Sequence, residues 1–331
     1  MTPTRYDVLA IGNAIVDVIA ETDDSFIELE QLTKGGMQLI DTDRAHSLYQ
    51  AMGPAREMSG GSAANTLAGM AMLERQCAFI GQVADDQLGE VFAHDIRAAG
   101  IDFDVPASGK EPPTARCLIL VTPDAQRTMN TFLGASQFLG AELIDKDLIQ
   151  SAAILYLEGY LWDPAEPRAA MRAAIGHAKD AGRKVAFTLS DAFVIDRHRD
   201  DFQALIDDGL IDILFANEVE ICSLNQNEDF ESAVAATAAK VPLLVVTKGA
   251  AGAIAIQNGV RAEVPAEPVT RLVDTTGAGD LFAAGVLSGL SEGRAIGDCL
   301  IIGAVCAAEV ISHYGARPEA NIAALVAARL G

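Results

Sequence analysis

A chain of 331 residues, half of them hydrophobic, has apolar side chain enough for one large core or two smaller ones. Its 46 acidic against 24 basic residues leave a formal charge of −22, which repels nucleic-acid phosphates and anionic lipid and argues against a general role in binding either. Any phosphate site must then bring its own positive field, from Arg, Lys, backbone N–H groups or a metal. Five dispersed cysteines (Cys77, Cys117, Cys222, Cys299, Cys306), with no C-x-x-C pair, suit reduced thiols better than a disulfide framework or a zinc site. The N-terminus has no basic n-region, and Asp298 and Glu309 interrupt the most apolar late segment. The expectation is a soluble, cytoplasmic protein without signal peptide or membrane span.

In chain order, Tyr6 to Ile11 reads as a buried strand broken by Gly12-Asn13, and Ala14 to Ala20 continues extended. Asn13 and Asp17 are polar residues set into apolar runs. They read either as a turn Asn and an exposed strand Asp, or as hydrogen-bonding groups for vicinal hydroxyls. A turn and short strand follow at Lys34 to Asp41. Met58-Ser-Gly-Gly-Ser-Ala-Ala-Asn65 opens a helix running through Met72, where Gly60 and Gly61 allow close backbone approach and Asn65 offers both donors and acceptors. Thr114 to Val121 and Thr128 to Phe132 read as a hairpin joined at Pro123-Asp124. From Ser151 the pattern alternates: strands Ala153 to Leu157, Lys184 to Leu189, Ile211 to Ala216 and Leu243 to Thr247, helices Pro167 to Ala181, Phe202 to Asp208 and Glu231 to Ala239. Short apolar strands between amphipathic helices predict a doubly wound, mainly parallel sheet with ligands at the carboxyl ends of its strands.

Two stretches sit where such a sheet places chemistry. Asn217-Glu-Val-Glu220 follows a strand; it is either an acidic first helical turn or a set of oxygen donors for hydrated Mg²⁺. Later, Arg271-Leu-Val-Asp-Thr-Thr-Gly-Ala-Gly-Asp280 leads into the apolar helix Leu281 to Leu290. Backbone N–H groups at a Gly-Ala-Gly turn opening a helix lack intrahelical partners, and the helix dipole favours an anion there. A carboxylate at that place, Asp280, makes better sense as a base acting on whatever attacks the phosphate. A plainly capped helix is the other reading, with Asp274, Thr275 and Thr276 as N-cap types. A dinucleotide fingerprint would need a third glycine where Phe282 stands, and no Walker A run exists in the chain.

Asp274-Thr-Thr-Gly-Ala-Gly-Asp280 resembles the C-terminal signature of the ribokinase-like (PfkB) kinases, and Gly60-Gly61-Ser-Ala-Ala-Asn65 with Phe79 to Gly89 resembles their N-terminal one. Gly12-Asn13-Ala-Ile-Val-Asp17, Tyr156 to Tyr160 and Thr188 to Phe193 resemble the adenosine kinase branch. The resemblance runs from Gly12 to about Gly315. It implies one domain over 1–331, with a small β-sheet lid formed by about 14–40 and 112–132. It further implies that Asn13, Asp17, Gly60, Gly61 and Asn65 hold sugar hydroxyls, and that Met37 and Leu39 are apolar lining. Arg127, carried on the lid, falls where the family often places an arginine on the transferring phosphate. Asn217-x-x-Glu220 matches a motif acting on metal and phosphate largely through water. Thr247-Lys-Gly-Ala-Ala-Gly252 resembles the nucleotide-binding turn, so that Thr247, Lys248, Gly249, Gly252 and Thr275 are candidates for the nucleotide. Phe138, Tyr160 and Phe193 are candidates for a base slot. His313, at the end of a helix read over Gly303 to His313, is more often a satisfied histidine than a catalytic one.

The expectation is therefore an ATP- and Mg²⁺-dependent kinase acting on a primary hydroxyl, adenosine first, with Asp280 as base and Gly277, Ala278 and Gly279 as the anion hole. Open alternatives are a guanosine or inosine kinase, a fructokinase- or ribokinase-type sugar kinase, and a non-catalytic nucleoside sensor. Monomer and dimer both remain open.

Overall fold

The computed structural model describes residues 4–124 and 126–331. Strand β1 (Tyr6–Ile11) explains the architecture: Val8 and Ala10 enter one apolar core, Leu9 and Ile11 another, and all four are fully buried. A strand apolar on both faces belongs in a sheet covered by helices on both sides. In chain order the strands after it are β2 (Ile15–Glu21), β3 (Met37–Leu39), β4 (Ala55–Gly60), β5 (Cys77–Ile80), β6 (Ile101–Asp102), β7 (Ala115–Val121) and β8 (Arg127–Phe132). They continue as β9 (Ala152–Glu158), β10 (Lys184–Thr188), β11 (Ile213–Asn217), β12 (Leu243–Thr247), β13 (Ala253–Gln257) and β14 (Val260–Val264). Among the described residues they form a nine-stranded sheet, β14-β13-β12-β11-β10-β9-β1-β5-β6, and a five-stranded one, β3-β8-β7-β2-β4. The large sheet is parallel from β12 to β6, and β13 and β14 extend it as an antiparallel hairpin.

The helices are α1 (Asp24–Leu29), α2 (Thr42–Ala51), α3 (Ser62–Met72), α4 (Gln87–Ala98), α5 (Lys146–Gln150) and α6 (Ala165–Asp180). After them come α7 (Ala192–Asp207), α8 (Glu218–Asn225), α9 (Phe230–Ala238), α10 (Ala278–Ser291), α11 (Ile296–Val310) and α12 (Ile322–Leu330). Leu67 of α3, Leu281 and Val286 of α10 and Leu300 of α11 share the core of Val8 and Ala10. On the opposite face Met171 of α6, Phe202 of α7, Ile221 of α8 and Val234 of α9 share the core of Leu9 and Ile11. The doubly wound, mainly parallel sheet read from the sequence is thus the observed fold, and the second, smaller sheet is present.

Three features depart from the sequence reading. Ala55–Gly60, expected only as the approach to a helix, is β4, the edge strand antiparallel to β2. Its composition is poor in β-formers, and pairing with β2 is what makes it a strand. The helix expected at Phe202 to Asp208 begins ten residues earlier, at Ala192, where the Asp191 side chain caps it by accepting from the Phe193 N–H at 2.6 Å. The last long helix ends at Val310, so His313 lies beyond it.

Candidate active site

Asn13 follows β1, Glu158 ends β9, and Thr188, Asn217 and Thr247 end β10, β11 and β12. All five line one cavity of about 660 Å³ at the carboxyl edge of the large sheet. The small sheet contributes the facing wall, with Ile15 and Asp17 from β2, Met37 and Leu39 from β3, and Ile119 and Met129 from β7 and β8. Helix α10 points its N-terminus into the same space. Gly277, in the left-handed region at φ +77°, is its N-cap, and no side chain caps it. Capping side chains serve α2, α4 and α8. Gly277, Ala278 and Gly279 therefore line the cavity at an uncapped helix start, the geometry that receives an anion, with the Ala278 N–H also turned back to the Thr275 carbonyl at 3.3 Å.

Asp280 stands in the first turn of α10. Ser62 Oγ donates to its Oδ1 at 2.6 Å and Asn65 Nδ2 to its Oδ2 at 3.1 Å, so the start of α3 fixes the carboxylate from both sides. Burial raises its pKa above the ordinary carboxylate value, against the lowering effect of those two donors and of the Arg317 charge. Asn65 Oδ1 in turn accepts from Arg317 Nε at 2.9 Å.

The other polar wall is built on Glu158, which is completely buried. Its Oε1 accepts from the backbone N–H of Asn13 at 2.8 Å and from Asn13 Nδ2 at 2.7 Å, while Oε2 accepts from the Ala63 N–H at 2.7 Å. Asn13 Oδ1 receives Ser136 Oγ at 2.8 Å. Asn13 is thus held by its backbone and by both ends of its amide. Burial pushes Glu158 up to about 7 despite these donors. Asp17, 9 % exposed, is pushed up to about 6 by burial, with Arg127 and Arg317 opposing. A Cβ on Gly60 would lie 2.4 Å from Asp17 Oδ2, so that glycine shapes the place of Asp17 without lining the cavity.

The structure brings together Asn13, Asp17, Met37, Leu39, Gly61, Asn65, Tyr160, Phe193, Asn217, Glu220, Thr247, Thr275 and Gly277 to Asp280. Besides Gly60, five expected residues fall elsewhere. Phe138 closes a short 3₁₀ turn and faces outward, 47 % exposed; Ser136 of that turn is what reaches Asn13. Lys248 is ion-paired with Glu263, on the strand next to its own turn, and is not part of the cavity wall. Gly249 and Gly252 shape the turn between β12 and β13; a Cβ on Gly252 would meet the Val264 carbonyl oxygen at 2.1 Å. Arg127 is clasped by Asp274, which also accepts from the Thr276 and Gly315 N–H groups at 3.0 Å each. That pair ties the small sheet to the approach to α10, and Arg127 Nε and Nη2 are buried without a hydrogen-bond partner among the described residues.

Asn217 and Glu220 are the acidic helix start of the first sequence reading, and their place is on the cavity wall. They form a complete capping box, Glu220 N–H to Asn217 Oδ1 at 2.9 Å and Asn217 N–H to Glu220 Oε2 at 3.0 Å, and they also line the cavity. Burial pushes Glu220 up to about 7. His313 Nε2 lies 3.2 Å from Glu309 Oε1, a local contact apart from the cavity. Ser62, Glu158 and Arg317 were missed. A lone Glu inside an apolar strand was a signal for the second, whereas Arg317 lies past every motif and offered none.

An α/β fold with an uncapped helix start, a buried carboxylate beside it and buried Asn amides on the same cavity wall is the arrangement of an enzyme that transfers a phosphoryl group. The profile described as pfkB family carbohydrate kinase matches residues 37–322, and the chain belongs to that family. A crystal structure from Rhizobium etli described as a probable sugar kinase is 46 % identical, covering 98 % of each chain with a TM-score of 0.94. The adenosine kinase of Sinorhizobium meliloti is 46 % identical over 98 % of this chain and 99 % of its own, with a TM-score of 0.93. Adenosine kinase of Saccharomyces cerevisiae is 24 % identical over 93 % of this chain and 95 % of its own. The protein is a kinase, a phosphotransferase to an alcohol group of a nucleoside or sugar, and membership of this family implies ATP as the donor. No helix among the described residues is long and apolar enough to cross a membrane.

Proposed function

We propose that the protein transfers the γ-phosphate of ATP to the primary 5′-hydroxyl of a nucleoside, adenosine first. The observation that carries this is the joint presence, in one cavity, of the Asp280 carboxylate held by Ser62 and Asn65 and of the Asn13–Glu158 pair beside Asp17. Asn13 and Asp17 suit the vicinal hydroxyls of a ribose, one side chain offering donor and acceptor, the other an acceptor. Ile15, Met37, Leu39, Ile119 and Met129 form an apolar wall that suits a base, and Phe193, 69 % exposed at the mouth, offers a ring to stack on it. Asp280 takes the proton of the attacking hydroxyl, and the Gly277 to Gly279 N–H groups receive the charge that develops on the transferring phosphoryl group. Closure of the small sheet as a lid brings the two free donors of Arg127 toward that charge and excludes water.

Mg²⁺ suits the donor set. Among the described residues no group of three His, Cys, Asp or Glu side chains gathers to hold a metal directly, while Glu220 and Asn217 offer hard oxygens at the cavity wall. That combination fits an ion that keeps its waters and arrives with the phosphates. When bound, it offsets charge on the β- and γ-phosphates.

The test is ATP consumption with Mg²⁺ against adenosine, guanosine, inosine, ribose and fructose. Turnover on a purine nucleoside supports the reading. Turnover confined to a free sugar overturns the acceptor assignment and favours the alternative drawn from the Rhizobium etli relative, a sugar kinase. Asp280→Asn is expected to bind ATP normally and to lose about 10²- to 10⁴-fold in kcat, the range for removal of a general base. Near-normal turnover in that variant refutes the role of Asp280.

A further inference from the structure

We propose that Arg317 is a positioning residue for phosphoryl transfer: it fixes the amide of Asn65 so that its N–H faces Asp280, and brings a cation to bear on the base. This rests on the reading of Asp280 as the base.

The argument begins with an ambiguity. An Asn amide can present either its oxygen or its nitrogen to a neighbour, and only the network decides. Toward Asp280 the nitrogen is needed, because an ionised carboxylate accepts and does not donate. Arg317 enforces that choice from the far side. Its guanidinium has donors and no acceptor, and Nε donates to Asn65 Oδ1 at 2.9 Å, leaving Nδ2 to donate to Asp280 Oδ2 at 3.1 Å. A flipped amide would face donor with donor on one side and acceptor with acceptor on the other. The second arm of the fork, Nη2, donates to Ser59 Oγ at 3.1 Å on β4, so the guanidinium plane is itself fixed.

The segment bearing Arg317 is anchored on both flanks. Before it, the Gly315 N–H donates to Asp274 Oδ2 at 3.0 Å. After it, Glu309 Oε1 accepts the Glu319 and Ala320 N–H groups at 2.9 and 2.8 Å. The fork therefore has a defined origin as well as a defined target. It thereby links the edge strand of the small sheet, β4 through Ser59, to α3 through Asn65.

The charge matters separately. Asp280 is faced by Ser62 and Asn65 from α3, Asp17 from β2, Tyr156 and Glu158 from β9, Tyr160 just beyond it, and Arg317. Burial is what opposes ionisation of Asp280, and Arg317 is the cation acting on it; Arg127 and Arg317 both act on Asp17. Burial lowers Arg317 to about 10, still fully charged at neutral pH.

Two substitutions separate orientation from charge. Arg317→Gln keeps a donor but not the charge; Arg317→Lys keeps the charge but not the planar fork. The readouts are kcat, KM for ATP and for the acceptor, and the pH dependence of kcat. For Arg317→Gln the expected result is an acidic limb displaced upward by about one pH unit, the lower end of the effect of a nearby opposite charge. Its KM for ATP stays within about twofold, since no substrate contact is removed. For Arg317→Lys the limb stays in place and kcat falls about 10- to 100-fold, the scale of a misplaced catalytic group. Wild-type kcat and limb in both variants, or a change confined to KM for ATP or to thermal stability, overturns the proposal and leaves Arg317 a packing residue of its segment. Asp280→Asn assayed alongside separates the failures: if it retains turnover, the base reading itself is wrong; if it loses turnover while both Arg317 variants are normal, only the positioning role falls.

Discussion

Replacing Gly277 by alanine tests the anion-receiving turn with two separable costs. Gly277 sits at φ +77°, where an L-residue with a Cβ is strained by about 1–2 kcal/mol. A Cβ there would also lie 2.7 Å from Ala316 Cβ and 2.8 Å from Ala316 Cα, and backbone cannot rotate away. Overpacking of this kind adds about 1–3 kcal/mol, for a total of roughly 2–5 kcal/mol. At about 2.1 cal/mol/K of unfolding entropy per residue, 331 residues give roughly 0.7 kcal/mol/K, so Tm should fall by about 3–7 °C. Gly209→Ala is the control: its φ is +67° and a Cβ there meets nothing within 4 Å, so it carries the strain alone. Differential scanning calorimetry of both variants, with KM for ATP measured alongside, is the assay. The Gly277 variant should lose more stability than the control and raise KM for ATP, because relief of the clash moves the first turn of α10. If the two variants unfold together and both keep wild-type KM, the turn is not held against Ala316 as described.

Other outcomes follow from the buried charges. Glu158, pushed up to about 7 from 4.5, holds its proton longer folded than unfolded, so its contribution to stability is complete below about pH 4.5 and is lost as pH rises to about 7. The loss amounts to about 3 kcal/mol for a group this buried. Glu158→Gln should be less stable at pH 5, since an amide cannot accept from both Ala63 and Asn13, yet show a shallower decline between pH 5 and 8 in urea unfolding; a decline equal to wild type would assign the titration to another group. Arg127→Met should destabilise by about 3 kcal/mol or more because it strands the buried Asp274 charge, and Asp274→Asn in the same chain should recover part of the loss. Additive single-variant losses in that double-mutant cycle would show that the two residues do not interact.

What was legible in the sequence was whatever follows from local chemistry. A short, β-branched apolar run such as Leu243 to Thr247, bounded by turn residues, reads as a buried strand, and Gly-Ala-Gly followed by an apolar run reads as a turn opening a helix. Those signals placed the parallel sheet, the carboxyl-edge site and Asp280. The Asn258-Gly259 pair, both residues at positive φ between β13 and β14, was an equally local hairpin signal that went unread. Other features had no local cause. Ala55–Gly60 is a strand because β2 offers it an edge, and Phe138 turns outward because a short 3₁₀ turn directs Ser136 inward instead. Arg127 pairs with Asp274 across 147 positions of sequence, Asn13 rests on Glu158 across 145, and Arg317 reaches Asn65 across 252. Composition and periodicity specify which face of an element is buried, because that depends on neighbours three or four residues away. Which charge meets which across the cavity depends on chain closure over hundreds of residues, and only the folded arrangement decides it.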